Sequence, residues 1–229
     1  YNCNKVFAAK EFFSLFCIVR LSHFHQLIKL ESFIMTNTLS FFSRLSPAAL
    51  WIKAHWKRLL ILFAAIFLLA FGGHKLYLYY PYMNLPHVTD ADLDALDLAG
   101  YSKVMFVAHP DDDLLWGGRH LIEDDYLVVC MTRGNDPVRS AEFKSVMEAT
   151  GEKYLILSYP DKIGNKRSDW KYWKKDMALD IATVLNYKNW DLVVSHNEDG
   201  EYGHHHHQMT HGLVKKEYEE NSCKADLYW

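Results

Sequence analysis

The sequence at residues 104–112 reads Val104-Met105-Phe106-Val107-Ala108-His109-Pro110-Asp111-Asp112. Its first five residues form a continuous apolar run, which is typical of a strand covered on both faces of a parallel sheet. An imidazole and two carboxylates follow directly where this strand ends. Imidazole and carboxylate are preferred ligands of zinc, and a further carboxylate beside them can accept a proton. The stretch therefore predicts a buried strand with a candidate metal site at its end.

Similar apolar runs recur along the chain, and segments with helical patterns separate them. Three further strands are predicted, at residues 126–132, 154–158 and 190–195. Helices are predicted at residues 112–123, 138–150 and 170–187, and from the histidine run to about Glu220. This order predicts a Rossmann-like, mostly parallel sheet with helices on both faces. Ligands bind beyond the carboxyl ends of the strands in such sheets, so the residues that follow the strands should meet.

A second group of potential ligands lies far downstream, in Gly203-His204-His205-His206-His207. His204 and His207 are three residues apart, so at the start of a helix they point the same way. One of them could bind a metal while the other donates a hydrogen bond to a developing oxyanion. The structural alternatives are a solvated histidine stretch here and, at Asp111 and Asp112, carboxylates that only cap a helix.

Composition limits the class of protein. Half of the 229 residues are hydrophobic, which is enough for a sizeable core. The formal net charge is -3, whereas nucleic-acid-binding proteins usually carry a basic face, so we expect no nucleic-acid partner. The cysteines have neither zinc-finger nor thioredoxin spacing. Cys130 is predicted to be a buried apolar residue, and a disulfide with Cys223 is the less favoured alternative.

The apolar segment at residues 59–80 is predicted to be a single membrane anchor. Every residue from Leu59 to Phe71 is apolar, and the run resumes after Lys75, whose side chain can reach the interface. Tryptophans precede this segment and tyrosines follow it, as in interfacial aromatic belts. Basic residues precede it and acidic residues follow it, which predicts a cytoplasmic N-terminus and an extracytoplasmic C-terminal part. A cleaved signal peptide is the alternative.

Four motifs, taken in order, resemble those of the PIG-L / LmbE-like deacetylases. The pattern of that family is Ala-His-Pro-Asp-Asp-Glu, then Thr-x-Gly, then Arg-x-x-Glu on a helix that ends in Gly, and finally Gly-His-x-x-His. The matching residues here are Ala108–Asp113, Thr132–Gly134, Arg139 with Glu142 and Gly151, and Gly203–His207. The match covers residues 103–214. It departs from the pattern at Asp113, where glutamate is usual, and at His206, where many members have aspartate.

The resemblance implies a zinc-dependent deacetylase, with Fe²⁺ as another candidate metal. The implied metal ligands are His109, Asp112 and His207. Asp111 is implied as general base, and His204 as the residue that stabilises the tetrahedral intermediate. Arg139 and Asp161 are implied to bind the substrate. Family members remove acetyl groups from N-acetylglucosamine-type sugars, so the expected partner is an N-acetylated amino sugar, free or within a glycolipid or glycoconjugate.

Five segments describe the expected domain organisation. The first methionine is Met35, so residues 1–34 are interpreted as an extension translated from upstream of the natural product. Residues 35–58 form a basic cytoplasmic segment, residues 59–80 the anchor, and residues 81–100 a linker with a short acidic helix. Residues 101–229 form the PIG-L-like deacetylase domain, which is shorter than usual after His207 and is interpreted as C-terminally truncated.

Two other functions stay open at this point. The first is a zinc amidohydrolase that acts on a non-sugar amide. The second is a catalytically inactive, membrane-tethered glycan-binding protein, against which Asp111 argues because binding alone needs no free carboxylate beside the metal. The topology also stays open, since eukaryotic members of the family are anchored by an N-terminal helix but present their catalytic part to the cytosol.

Overall fold

The structure is a computed structural model that describes residue 29, residues 31–37 and residues 46–229. The chain divides into two compact units between Gly73 and His74. Most of the predicted upstream extension, residues 1–34, lies outside the described residues, as does part of the predicted basic segment, residues 35–58.

The predicted anchor lies within a long helix, α1 (Ser46–Tyr79). The stretch Leu50–Tyr82 is long and apolar enough to cross a membrane, and none of its side chains in the most apolar window is buried. Gly72 and Gly73 do not interrupt the helix. This stretch includes the predicted anchor, residues 59–80.

The second unit contains seven strands. In chain order they are β1 (Lys103–Val107), β2 (Tyr126–Thr132), β3 (Lys153–Tyr159), β4 (Lys162–Ile163), β5 (Lys166–Arg167), β6 (Leu192–Val194) and β7 (Asp226–Tyr228). Five of them form one sheet in the order β3-β2-β1-β6-β7, and all its pairings are parallel. The strand order reverses between β1 and β6, which is where doubly wound sheets bind their ligands. β4 and β5 form a separate antiparallel hairpin.

Helices cover both faces of the sheet. After α1 they are α2 (Asp90–Asp94), α3 (Asp112–Leu115), α4 (Gly118–Glu123), α5 (Pro137–Thr150), α6 (Lys174–Tyr187), α7 (Gly200–Gly203) and α8 (His205–Glu220). Alternate residues of β1 point to opposite faces. Val104 and Phe106 pack in one core with α6 and α8, whereas Met105 and Val107 pack in a second core with α4 and α5. The predicted fold class, a Rossmann-like α/β sheet with helices on both faces, is confirmed.

Two predicted helices differ from the observed ones. The helix predicted at residues 112–123 is broken into α3 and α4 at Gly117, where a Cβ atom would lie 2.6 Å from the sulfur of Met105 in β1. The helix predicted from Trp170 begins four residues later, at Lys174. Trp170 has a φ of 52°, and its buried indole N–H donates to the carbonyl of Pro160, so this residue belongs to the preceding turn.

Residues 81–100, predicted as a linker with a short acidic helix, contain α2. Thr89 caps this helix, because its hydroxyl accepts the Asp92 N–H while the Asp92 carboxylate accepts the Thr89 N–H. Leu93 and Leu98 are buried in the core that contains α6. This segment therefore contributes to the packing of the second unit. Cys130 is buried, as predicted, and the described thiols of Cys130 and Cys223 are not joined in a disulfide.

Candidate metal centre

The residues predicted for the site come from segments that are distant in sequence. The turn after β1 supplies His109, Asp111 and Asp112, and the start of α8 supplies the histidines. These segments meet beside the reversal of strand order between β1 and β6. Six of the seven predicted site residues line one cavity of about 250 Å³: His109, Asp111, Asp112, Arg139, Asp161 and His204. The seventh, His207, is fully buried beside Asp112.

Asp112 lies between the two predicted histidine ligands. Its Oδ2 atom is 3.1 Å from Nδ1 of His109 and also accepts the His109 backbone N–H, while its Oδ1 atom is 3.2 Å from Nε2 of His207. Burial alone would raise the pKa of Asp112, but contacts with the surrounding imidazoles, His109 first, hold that pKa well below its usual value. Asp112 is therefore an ionised carboxylate at neutral pH.

His207 has a free lone pair at the centre of this group. Its Nδ1 is 2.6 Å from Oε2 of Glu201, and a carboxylate can only accept, so Nδ1 carries the proton. Nε2 is then unprotonated, and it is a buried atom without a hydrogen-bond partner among the described residues. A carboxylate that orients a histidine so that its other nitrogen is free is the usual support of a histidine metal ligand.

The spacing of the two imidazoles also suits a shared ion. The ring centroids of His109 and His207 are 5.6 Å apart. Two imidazoles on one tetrahedral zinc ion, with bonds of about 2.0 Å, have ring centres about 5 Å apart. His109, Asp112 and His207 thus offer donor atoms of the right type for a divalent metal, and Asp112 contacts both histidines. Among the described residues, the groups whose donor atoms all lie within 4.8 Å of one another are His109–His204–His207, His109–Asp161–His206 and Asp112–His196–His207.

Asp111 and Arg139 form an ion pair at the mouth of the cavity. The Asp111 side chain is half exposed, and its Oδ2 is 3.0 Å from Nη2 of Arg139. The same guanidinium nitrogen donates to the Pro110 carbonyl at 2.7 Å. Arg139 lies in the first turn of α5, where the Asp136 carboxylate caps the helix by accepting the Val138 and Arg139 N–H groups. The predicted substrate-binding arginine therefore contacts the predicted base.

His204 faces both predicted histidine ligands. Its ring centroid is 4.8 Å from that of His109 and 4.3 Å from that of His207. Its Nδ1 is buried without a hydrogen-bond partner in the part of the chain that the structure describes. Burial, reinforced by the charges of neighbouring imidazoles and of Arg167, lowers the pKa of His204 to about 4. The ring is therefore neutral at neutral pH and can donate one N–H.

Asp161 lies on the opposite side of the same cavity. Its carboxylate pairs with Arg133 and, at 3.1 Å, with Arg167, and it is 3.6 Å from Nε2 of His109. Burial opposes ionisation, but contacts with His109 and Arg133 hold the pKa of Asp161 below its usual value. The two arginines and Lys162 make this side of the cavity cationic.

Two residues that support His207 were not predicted from the sequence. His196 follows β6, stacks on His207 at 3.9 Å, and has its Nδ1 3.2 Å from Oε1 of Glu201. Glu201 has a φ of 59°, which is unusual for a residue other than glycine and marks a constrained position. A sequence signal existed for His196, since it directly follows a predicted strand, but Glu201 is recognisable only from its contacts. His211, in the same helix as His207, is also buried, with its ring centroid 4.1 Å from that of Trp229.

The fold and the site together define an α/β protein with a histidine–carboxylate centre at the carboxyl edge of a parallel sheet. The model of the PIG-L family, described as GlcNAc-PI de-N-acetylase, matches residues 104–218. The chain belongs to this family.

The chain is also 32% identical over 129 residues to an uncharacterised protein of Acanthamoeba polyphaga mimivirus. That match covers 49% of this chain and 56% of the relative, so the chain spans little more than half of the relative's length. Membership in a deacetylase family supports an enzymatic function.

Proposed function

We propose that this protein is a membrane-anchored, zinc-dependent deacetylase that hydrolyses the N-acetyl group of an N-acetylglucosamine-type sugar, free or within a glycolipid or glycoconjugate. The observation that carries the proposal is that Nε2 of His207 has no hydrogen-bond partner among the described residues, while it lies 3.2 Å from Oδ1 of Asp112 and its ring is close to that of His109. Zinc is the proposed metal, with Fe²⁺ as the other candidate. Held by these three residues, either ion would polarise the acetamide carbonyl. It would also lower the pKa of water, so that hydroxide is available to attack this carbonyl.

Asp111 is the proposed general base. It belongs to the same turn as the ligands, and its exposed carboxylate lines the cavity, where it can accept a proton from water and return it to the departing amine. Arg139 fixes the position of this carboxylate through the 3.0 Å contact. Positioned proton transfer of this kind typically accelerates a reaction about 10²- to 10⁴-fold.

His204 is the proposed stabiliser of the oxyanion. Because its pKa is lowered to about 4, the neutral ring would act as a hydrogen-bond donor at physiological pH. Removal of one such donor typically costs about 10²- to 10³-fold in kcat. This role needs no protonation of the ring, so it suits an imidazole surrounded by other imidazoles and by Arg167.

The walls of the cavity suit a polar substrate. Arg139 and Asp161 are the proposed substrate-binding residues, and Asp161 can accept hydrogen bonds from sugar hydroxyls. Tyr202, which is 67% exposed, has its ring 5.7 Å from that of His204 and offers an aromatic face beside the site. Trp170 and Trp173 do not line this cavity, because both rings are buried in the core.

The assay that tests this function is acetate release. The full chain, purified in detergent, is incubated with several N-acetylhexosaminides and with non-sugar acetamides, before and after treatment with a chelator. We expect hydrolysis of sugar substrates that is lost on chelation and restored by zinc. Hydrolysis confined to non-sugar amides would refute the sugar specificity, and bound zinc without hydrolysis of any acetamide would refute the enzymatic function.

The proposed topology has a cytoplasmic N-terminus and an extracytoplasmic catalytic unit. The basic residues before the apolar segment 59–80 and the acidic residues after it support this orientation. A reporter active only outside the cytoplasm, fused after Tyr82, should be active. A matched fusion before Leu50 should be inactive, and the reverse pattern would refute the orientation.

A further inference from the structure

His206 lies at the centre of a contact that the functions assigned above do not use. This residue occupies the position at which the family pattern has aspartate, and its side chain is fully buried. Its ring stacks on Trp170, with centroids 4.1 Å apart and planes inclined by 15°. Trp170 is itself held by the hydrogen bond from its indole N–H to the Pro160 carbonyl. The orientation of the His206 ring is therefore defined by packing.

Hydrogen bonding defines which nitrogen of His206 carries the proton. Nε2 is 2.7 Å from the carbonyl oxygen of Ser168, and a carbonyl can only accept, so Nε2 carries a proton. The ring is neutral, because a second proton would create a buried charge without a hydrogen-bonded carboxylate. The nearest carboxylate oxygen, that of Asp161, is 3.6 Å away and is already paired with arginine. Nδ1 of His206 is therefore an acceptor.

The group that this acceptor faces is the imidazole of His109. Nε2 of His109 is 2.9 Å from Nδ1 of His206, so it must donate its N–H to that atom. The other nitrogen of His109, Nδ1, is 3.1 Å from Oδ2 of Asp112, on the side of the proposed metal ligands. The hydrogen bond from Nε2 leaves Nδ1 as the nitrogen that can offer a lone pair.

We propose that His206 is a positioning residue, which accepts the Nε2–H of His109 and thereby directs Nδ1 of His109 to the metal. The Ser168 carbonyl anchors this arrangement from behind. The proposal rests on the metal site of the proposed function. Histidine ligands usually donate their second N–H to a carboxylate, a carbonyl or water, and loss of that partner typically weakens metal binding about 10- to 100-fold. Here a neutral imidazole takes that role.

A different use of the same atoms is a second metal site. Nε2 of His109, Nδ1 of His206 and a carboxylate oxygen of Asp161 are close enough to one another to hold an ion. The charge around them opposes it, because Nη1 of Arg167 is 3.5 Å from that His109 nitrogen and 3.1 Å from Asp161. A cation there would compete with the guanidinium. Metal stoichiometry separates this use from a positioning role.

The test uses Co²⁺ as a probe, since its visible absorption reports the geometry of its ligands. The metal-free full chain in detergent is titrated with Co²⁺, and affinity, stoichiometry and spectrum are recorded for three variants. His206→Phe keeps an aromatic ring against Trp170 but removes the acceptor. His206→Asn places an amide oxygen near the position of Nδ1. His211→Phe is the matched control, a buried histidine of the same helix that contacts none of the proposed ligands.

We expect the wild type to bind one Co²⁺ per chain. His206→Phe should bind Co²⁺ with an affinity about 10- to 100-fold lower and with an altered spectrum. The Co²⁺ affinities of His206→Asn and His211→Phe should stay within about threefold of that of the wild type. Circular dichroism and thermal unfolding confirm that each variant is folded. An unchanged affinity and spectrum in His206→Phe would overturn the proposal, as would an equal loss in His206→Asn. Two Co²⁺ ions per wild-type chain would also overturn it, because His206 would then be a ligand of a second metal ion. A wild type that binds no Co²⁺ would instead refute the proposed metal site itself.

Discussion

At the scale of single residues, the carboxylate of Glu201 contacts two histidines at once. Oε2 is 2.6 Å from Nδ1 of His207, and Oε1 is 3.2 Å from Nδ1 of His196. Burial alone would raise the pKa of Glu201, but the hydrogen bonds from both imidazoles outweigh it and lower that pKa. A charged carboxylate at this position keeps the proton of His207 on Nδ1 and leaves Nε2 for a metal.

The variant Glu201→Gln should therefore weaken zinc binding about 10- to 100-fold, because the amide cannot accept from both imidazoles as a charged group does. The measurement is competition for zinc between the purified chain and a chromophoric chelator. The exposed Glu198, three residues earlier in the same loop, supplies the control Glu198→Gln, which should bind zinc like the wild type. Equal affinities for all three proteins would contradict the role of Glu201.

The variant Asp111→Asn should lower kcat/KM at least about 100-fold and leave the zinc content unchanged, since the amide cannot accept a proton and Asp111 is not a proposed ligand. Acetate release and elemental analysis measure the two quantities. Glu142→Gln removes the other carboxylate held by Arg139 and should cost less than about fivefold, as expected for an exposed ion pair. If Asp111→Asn keeps full activity, Asp111 is not the general base.

The sequence predicts the residues of the site better than the contacts that support them. His109, Asp112 and His207 stand out as candidate ligands because of their residue types, their places after a strand and at the start of a helix, and the resemblance to the family pattern. Their supporting residues, Glu201 and His206, are identified only by distances between segments. The burial of His211 illustrates the same limit, because its ring packs against Trp229, which lies beyond its own helix.

At the scale of elements, the loop after β2 depends on a glycine. The N–H of Gly134 donates to the carbonyl of Leu157 in β3 at 2.8 Å, so the loop lies against that strand. A Cβ atom at Gly134 would be 2.6 Å from the carbonyl oxygen of Ile156 and 2.9 Å from that of Leu157. These carbonyls belong to the edge strand β3, at the point where its register with β2 shifts, so either the loop or this strand would have to move.

Gly134→Ala should therefore lower the free energy of unfolding by about 2 kcal/mol, in the range for overpacked sites. Urea unfolding followed by circular dichroism measures the change. Gly118→Ala is the matched control, since a Cβ there meets only the flexible end of Leu114 at 3.9 Å and the residue lies in a helix. If Gly134→Ala is as stable as Gly118→Ala, the loop after β2 can shift to make room for the added methyl group.

The junction of β2 and β3 contains a buried acid whose protonation affects stability. Oε2 of Glu152 accepts the Tyr126 N–H at 2.5 Å, while its Oε1 has no hydrogen-bond partner among the described residues. Burial raises the pKa of Glu152 to about 7 from a usual value of 4.5. The folded state therefore binds more protons than the unfolded state between these values, and stability falls as pH rises from 4.5 through 7.

Glu152→Gln should abolish this fall, because glutamine keeps an acceptor for the Tyr126 N–H but cannot ionise. We expect wild type and variant to differ little at pH 4.5, and the variant to be more stable by about 3 kcal/mol at pH 8. Urea unfolding at the two pH values measures the difference. Glu148→Gln, at an exposed position of α5, should show no such pH-dependent gain. A constant difference between Glu152→Gln and wild type across this range would contradict the raised pKa.

Sequence patterns predict the long strands well and the short ones poorly. Residues 126–132 were predicted as a strand and form β2 with the same bounds, because the whole apolar run is buried. β7 and the hairpin of β4 and β5 were not predicted, since strands of two or three residues carry too few side chains to form a pattern. Their positions depend on tertiary pairing, which is a property of the folded sheet.

At the scale of the whole molecule, the last residues of α1 pack within the second unit. Tyr79 stacks on Trp173 with ring centroids 6.0 Å apart, and the indole N–H of Trp173 donates to the carbonyl of Tyr82 at 2.8 Å. Both tyrosines are partly buried against the main core. The second compact unit accordingly begins at His74, within the segment 59–80 that the sequence predicts as the anchor.

This packing predicts that the last turns of α1 stabilise the second unit. A fragment from His74 to Trp229 should unfold at a temperature about 5 °C or more above that of a fragment from Met83 to Trp229, since partial burial of the two tyrosines is worth about 2 kcal/mol and each kcal/mol shifts the unfolding temperature by about 2–4 °C. Differential scanning calorimetry measures both, and neither fragment contains the most apolar part of α1. Within the full chain, Tyr79→Ala should reproduce part of this loss, while Tyr80→Ala, at a position 72% exposed, should not. If both fragments unfold at the same temperature, and Tyr79→Ala behaves like Tyr80→Ala, the helix end contributes nothing to the stability of the unit.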